Sequence, residues 1–432
     1  MIYFSTLNNY LKKVTSTLSL TKTLYIIFYA SILIRVIVFS FLPKTPSSLA
    51  LDEGTYADLV KYIAAGKNTM DYPGFGPGLY ATSRVLILPA LHLNYNGISP
   101  LDSLRIISSL FGALTSLILI IYLGYILQNN KSKLVRSQGF GIILILFFTI
   151  FTFWPSRFLW SVVGLRESAN EFLVICFFIS LNFFLFHSKN SAKKYVYLSL
   201  CSALILLIVS IRFQVAIVLF LSCWIILATE KLKNSDRLIS SILLLCTWIP
   251  IQQAVNIQSN ALSIELNTAR NAASKILTLD TEQKAEGNRI NARSNFDTVR
   301  CPEKFRNIEN RVTSNFICTA YRAPLSIPSF LFRPFFGSDT YSLSTYVAAL
   351  ENLIWLIGVF FLISNFSLKR RILYFEYLRP IVIFSIFFAC AASTYEGNLG
   401  TAFRHKSLIV ITLFSWITLI LYNRSLNKKL KN

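Results

Sequence analysis

Apolar residues in this chain gather into long runs separated by short polar segments. A run of roughly 17–24 apolar residues is the length that crosses the hydrocarbon core of a bilayer as a helix. Ten such runs are read: Leu24 to Leu42, Leu104 to Leu127, Gly139 to Phe153, Ser168 to Phe186, Tyr195 to Ile211, Phe213 to Thr229, Leu238 to Val255, Thr345 to Ser364, Pro380 to Ser393 and Ser407 to Tyr422. The third and ninth are short. Together they predict an all-α polytopic membrane protein with about ten transmembrane helices. Ser48-Leu49-Ala50 has the small-x-small look of a signal-peptide cleavage site. The apolar run before it is about 19 residues, longer than a signal core, so an uncleaved first helix is expected.

Two segments between runs are large. The first, Pro43 to Ser103, places Tyr56, Leu59, Val60 and Ile63 at helical spacing, and Leu79, Val85, Leu86 and Leu88 less cleanly. Both stretches read as amphipathic helices lying on the membrane surface, joined by the turn-rich DYPGFGPG. The second large segment ends in the apolar, proline-broken PLSIPSFLFRPFFG, expected to dip along the interface. The chain thus divides into a module of about seven helices at 1–255, an extracytoplasmic segment at 256–344 and about three C-terminal helices at 345–432.

The charges orient this scheme. With the N-terminus inside, each inner segment carries at least three cations: Lys12, Lys13 and Lys22; Lys131, Lys133 and Arg136; Lys189, Lys193 and Lys194; Lys231, Lys233 and Arg237; Lys369, Arg370, Arg371 and Arg379; Arg424, Lys428, Lys429 and Lys431. The short outer turns carry one or two. The positive-inside rule therefore predicts both termini in the cytoplasm.

Composition agrees. Hydrophobic residues make up 54% and charged residues 14%, too few for a solvated globular surface, so soluble enzymes and disordered chains are excluded. The net charge of +22 is accounted for by topology and anionic headgroups, so no nucleic-acid partner is expected. Of seven cysteines, only Cys301 and Cys318 lie in a polar stretch. In this topology both face an oxidising compartment, where a disulfide could close a short loop; the opposite topology leaves them reduced. The histidines His92, His187 and His405 are scattered, so a structural metal site is not expected.

Four features could carry chemistry. Asp52 and Glu53 open a surface helix just outside the first span, as caps, as a general base, or one as each. Arg166-Glu167, shortly after Trp160-Ser161, lies in an outer turn, where it could be a helix-anchoring ion pair or functional. GNLGTAFRHK groups Arg404, His405 and Lys406 at a helix start beside two glycines, an arrangement suited to snorkelling or to anion binding. Arg35, Glu351 and Asn352 are intramembrane polar groups, and Arg212, Arg322 and Arg333 are further phosphate candidates.

The acidic pair with a downstream tyrosine (Asp52, Glu53, Tyr56), the second outer acid Glu167 and the large outer segment after the seventh run resemble the GT-C superfamily of glycosyltransferases. That class contains protein O-mannosyltransferases and lipid A aminoarabinose transferases, of the glycosyltransferase family 39 type. PSRFLWSVVGLRES, RPFFGSDT and GNLGTAFRHK also look similar to bacterial cell-surface polysaccharide proteins. The resemblance implies an inverting transfer from a polyprenyl-phosphate-linked sugar donor to a glycan or lipid-linked acceptor on the outer face. It implies Asp52 as base, with Glu53 beside it and Glu167 as the second acid. Arg404, then Arg333, would hold the lipid phosphate, with Arg166, Arg212, His405 and Tyr56 completing the binding set. Some relatives use a divalent metal (Mg or Mn), which one acidic pair without histidine does not specify.

Two other readings stay open. A polysaccharide polymerase or ligase would use the outer arginines on a polyprenyl-pyrophosphate-linked oligosaccharide. A transporter or flippase would be expected to show paired, broken helices, and no paired halves are read in the sequence.

Overall fold

The computed structural model describes residues 18–44, 51–67, 77–129, 138–187, 191–230, 234–252, 321, 327–328, 330–334, 336, 343–364, 372–395 and 403–418. Most of the 256–344 segment, including Cys301, Cys318 and Arg322, lies outside them. Among the described residues the chain is helical between short turns, and no strand occurs. The helices are α1 (Leu18–Ser40), α2 (Leu51–Ala64), α3 (Pro77–Tyr95), α4 (Pro100–Asn129), α5 (Gln138–Thr152) and α6 (Pro155–Val162). They continue with α7 (Glu167–Asn182), α8 (Ser191–Val209), α9 (Phe213–Thr229), α10 (234–252), α11 (Leu343–Ser364), α12 (Ile372–Tyr395) and α13 (403–418).

Among the described residues, four helices are long and apolar enough to cross a membrane: Lys22–Ser40, Pro100–Gly124, Glu167–Phe186 and Ala192–Val209. A fifth span results if the bent pair Leu144–Thr152 and Pro155–Val162 is counted as one. Phe213–Thr229, Tyr346–Phe361 and Leu378–Ser393 are apolar but shorter. The outward faces suit lipid. Helix α1 exposes Ile26, Tyr29, Leu33 and Ile37, and α11 exposes Leu350, Ile354, Ile357 and Phe360. Such faces would be costly in water and cost nothing against acyl chains.

Local signals explain the element ends. Ser99 caps α4, its hydroxyl accepting from the Asp102 backbone N–H at 3.1 Å and donating to the Asp102 carboxylate at 2.7 Å, with Pro100 at the first helical position. Gly66 and Gly97, at φ 72° and 88°, terminate α2 and α3 in the left-handed region that other residues enter at a cost.

Two apolar clusters hold the molecule. The larger fills the bundle, where Phe147, Phe151 and Trp154 pack their rings around Phe414 at 5.5, 5.4 and 4.7 Å. The smaller closes one end, joining Tyr56, Leu59 and Val60 of α2 to Leu86, Ile87 and Ala90 of α3, Leu104 and Ile107 of α4, Trp160, and Phe403. The apolar stripe of α2 was expected to lie on the membrane surface; instead it is buried against protein. Residues Tyr56, Leu59 and Val60 can each remove a whole side chain from solvent here because α3 and α4 supply a matching wall.

The third apolar run does not simply end. After α5 the chain bends by 52° at Phe153–Trp154 and resumes as α6. Pro155 cannot continue the preceding helix but is favoured at the first position of a new one. A break in a helix leaves backbone groups without helical partners, which is costly where they are buried. Charged side chains supply those partners, Arg157 from the first turn of α6 and Arg35 and Glu351 from the distant α1 and α11. Arg157 donates to the Phe151 carbonyl at 2.8 Å and Arg35 to the Thr152 carbonyl at 2.9 Å. On the other side of the break, the Glu351 carboxylate accepts from the Ser156 N–H at 2.7 Å, the Ser156 hydroxyl at 2.6 Å and the Trp154 indole at 2.5 Å. Arg157 also pairs with Glu171 at 2.9 Å, and Arg35 with the Ser161 hydroxyl at 2.8 Å. Arg35 and Glu351 thus have structural work: they cap the break between α5 and α6.

Candidate functional site

The site lies at the end of the bundle closed by α2 and α3. Its foundation is the turn between α6 and α7, held to α4 and α2 by polar contacts. Ser108 donates toward the Val163 and Leu165 carbonyls, each at 3.1 Å, and Ser109 donates to the Ser161 carbonyl at 3.1 Å. Two glycines make this approach possible. A Cβ on Gly164 would lie 2.9 Å from the Leu104 Cβ, and one on Gly112 would lie 2.4 Å from the Ser161 Cβ.

Glu53 is fully buried in this foundation. Its two carboxylate oxygens accept from Arg105 Nε at 2.8 Å and Nη2 at 3.1 Å, and Oε1 also accepts from the Gly164 N–H at 2.9 Å. This bidentate pair pins the first turn of α2 to α4 and to the α6–α7 turn. Asp52 precedes it at the second position of α2, and the Asp52 side chain lies outside the described residues.

The α6–α7 turn presents Arg166 and Glu167. Glu167 opens α7, where a carboxylate suits the positive end of the helix. Its Oε1 is bonded to Arg212, which caps α9 from extended backbone, and lies 3.9 Å from Arg404 Nη1 near the start of α13. Arg166 donates to the Ile211 carbonyl at 3.1 Å and stands 6.0 Å over the Tyr56 ring. Arg404 stands 5.3 Å over the Trp160 ring. Five of the expected site residues, Glu167, Arg166, Arg212, Arg404 and Tyr56, therefore meet in one mostly buried group assembled from α2, α7, α9 and α13.

The others stand beside it. His405 is buried, edge-on to Phe388 at 6.2 Å. Arg333 is half-buried, and its backbone carbonyl accepts from Lys406. Lys406 also donates to Asn352 Oδ1 at 3.0 Å, and Asn352 Nδ2 donates to the Pro334 carbonyl at 3.2 Å. Lys406 and Asn352 thus clamp the 333–334 backbone between α11 and α13.

Two residues escaped the sequence reading. Asn170 and Glu171 sit inside an apolar run, three and four positions after Glu167, a spacing that puts all three on one helix face. That periodicity was the available signal. Three buried polar atoms around this face, Glu167 Oε2, Asn170 Oδ1 and Trp160 Nε1, make no hydrogen bond among the described residues.

Among the described residues no three His, Cys, Asp or Glu side chains come together as a metal-ligating set. The nearest acids do not fit a divalent cation: Glu53 is held by Arg105 and a backbone N–H, and Glu167 is ringed by guanidiniums. The chemistry of this donor set is anion binding. Two guanidiniums face one carboxylate oxygen, and a third stands on the adjacent residue. No protein-family model and no curated protein sequence matches the chain.

Proposed function

We propose that this protein is a GT-C-type membrane glycosyltransferase with about ten spans and both termini in the cytoplasm of a bacterial inner membrane. It transfers a sugar from a polyprenyl-phosphate donor to a cell-surface glycan or lipid-linked acceptor on the outer face, with inversion. The observation that carries this reading is the meeting of Arg212 and Arg404 on the single carboxylate of Glu167, with Arg166 alongside, at the end of the bundle closed by α2.

The mechanism follows from charge. Asp52 takes the proton from an acceptor hydroxyl. The oxygen attacks the anomeric carbon from the face opposite the phosphate, the carbon–oxygen bond to phosphate breaks, and its electron pair leaves on the polyprenyl phosphate. Charge grows on that phosphate in the transition state, and guanidiniums already in place stabilise it without reorganising. Glu53 is a positioning residue. Its pair with Arg105 holds the helix carrying Asp52 against the turn carrying Glu167.

The test is Asp52→Asn in the purified protein, assayed for sugar release from synthetic polyprenyl-phosphate sugars. Transfer is expected to be lost with an unchanged unfolding midpoint, and full activity in that variant would remove Asp52 as the base. The excess of positive charge also favours a second reading, a polymerase or ligase acting on a polyprenyl pyrophosphate. Glycan analysis of a deletion strain separates the two: single repeats mark a polymerase, an undecorated unit marks the transferase.

A further inference from the structure

Arg404 is held in place by a closed circuit of contacts that runs through α11. Glu351 and Asn352 are adjacent on that helix and reach two different neighbours. Glu351 accepts from the Trp154 indole and from the Ser156 N–H at 2.7 Å, which holds the start of α6. Asn352 Oδ1 accepts at 3.0 Å from Lys406, in the first turn of α13. Trp160 stands one turn along α6 from Ser156, and Arg404 stands two residues before Lys406. The Arg404 guanidinium lies 5.3 Å over the Trp160 ring. The circuit therefore closes on the two halves of one cation–π pair.

The link from α11 to α13 is too costly to be mere packing. Lys406 and Asn352 are each 5% exposed. Among the described residues the ammonium donates to the Arg333 carbonyl and to Asn352 Oδ1, both neutral oxygens. A buried ammonium with no carboxylate in contact is destabilising, and an apolar side chain would join the two helices at less cost. What the polar link adds is direction. Asn352 Nδ2 donates to the Pro334 carbonyl at 3.2 Å, so the amide is held from both ends and fixes the register of the first turn of α13 against α11. Trp154, at the start of α6, also packs edge-on to Phe414 of α13 at 4.7 Å, which ties those two helices together directly.

We infer that Asn352 and Lys406 are positioning residues for Arg404, holding its guanidinium over Trp160 and 3.9 Å from Glu167 Oε1. This deepens the glycosyltransferase reading and rests on it for what Arg404 does, which is to meet the donor phosphate. The placing of Arg404 is a separate matter and can be measured without any lipid.

The protein is labelled with fluorotryptophan in lipid nanodiscs, and the fluorine NMR resonance of Trp160, one of six tryptophans, is assigned by its loss in Trp160→Phe. Arg404→Gln is expected to shift that resonance by taking the cation from the ring. Asn352→Leu and Lys406→Met should each shift it at least half as far in the same direction, and should add no shift when combined with Arg404→Gln. The same cycle is run on affinity for undecaprenyl phosphate. Asn352→Leu and Lys406→Met should each lose about threefold to tenfold. In the Arg404→Gln background the further loss should stay within about twofold, because residues that act through one group are not additive. A Trp160 resonance that Arg404→Gln or either folded variant leaves in place overturns the inference. So does a shift or an affinity loss that persists in full without Arg404, the mark of a bundle merely loosened. A wild-type protein that gives the expected resonances but binds no undecaprenyl phosphate overturns the glycosyltransferase reading and leaves the placing of Arg404 standing. Unfolding midpoints are measured in parallel. Where Asn352→Leu fails to fold, Lys406→Met alone decides, since it removes the buried charge along with the link.

Discussion

Two groups of buried charge sit within this one bundle, and they are built on opposite terms. At the break between α5 and α6, Arg35, Arg157, Glu171 and Glu351 balance in sign, and their contacts go to one another or to backbone groups that the break leaves without helical partners. At the bundle end, Arg166, Arg212 and Arg404 outnumber Glu167, and three neighbouring polar atoms have no partner among the described residues. The charges of the first group are all buried, and the arginines of the second are half-buried. What separates a structural network from a binding site is whether the protein completes its own hydrogen bonds and charges. The first group does so; in the second, Glu167 Oε2, Asn170 Oδ1 and Trp160 Nε1 have no hydrogen-bond partner among the described residues.

The comparison breaks most sharply on Arg157→Leu. That change leaves Glu171 buried without its guanidinium and uncaps the Phe151 carbonyl, and it should cost about 3–5 kcal/mol. The measurement is the unfolding midpoint in detergent or nanodiscs. A variant as stable as wild type would mean that the charged network does not hold the break.

Gly112→Ala is next. Its Cβ would meet the Ser161 Cβ at 2.4 Å, in helices too closely packed to yield, so α6 must move away from α4. Overpacking of this kind costs about 1–3 kcal/mol. Adding Ser161→Gly to the same chain should recover part of it. No recovery would place the strain somewhere other than this contact.

Arg404→Gln should have the smallest effect on stability, within about 1 kcal/mol, because its pair with Glu167 is long and sits among like charges. Its effect on donor lipid binding should be a loss of about tenfold or more. A stability loss as large as that of Arg157→Leu, with binding intact, would make both groups structural.

Much of the frame was legible along the chain. The spans at Lys22–Ser40 and Pro100–Gly124 could be read because lipid demands only length and apolarity, which are local properties. The stripe Tyr56, Leu59, Val60 was legible as an apolar face for the same reason, but not what covers it, since a helix of that pattern serves equally against headgroups or against α3 and α4. The stretch between the third and fourth runs, with Trp160-Ser161 and Arg166-Glu167, was read as an outer turn, whereas residues 155–162 form a helix. Pro155 stops one helix and starts another equally well, and the choice fell to Glu351, which is 195 positions away and binds the freed Ser156 N–H.

Residue types and spacing by themselves determined that this chain belongs in a membrane, where most of its long helices begin and end, and which side chains are too polar for their surroundings to be passive. Only the tertiary structure decided which of those polar residues answer one another. Arg35 and Glu351 stood in the sequence as candidates of the same kind as Glu167 and Arg404, and nothing local distinguishes them. Hydrogen bonds and charges act over a few ångströms, so whether a buried group is satisfied depends on residues that folding brings from far along the chain. Glu167 meets Arg212 and Arg404, from α9 and α13, for that reason.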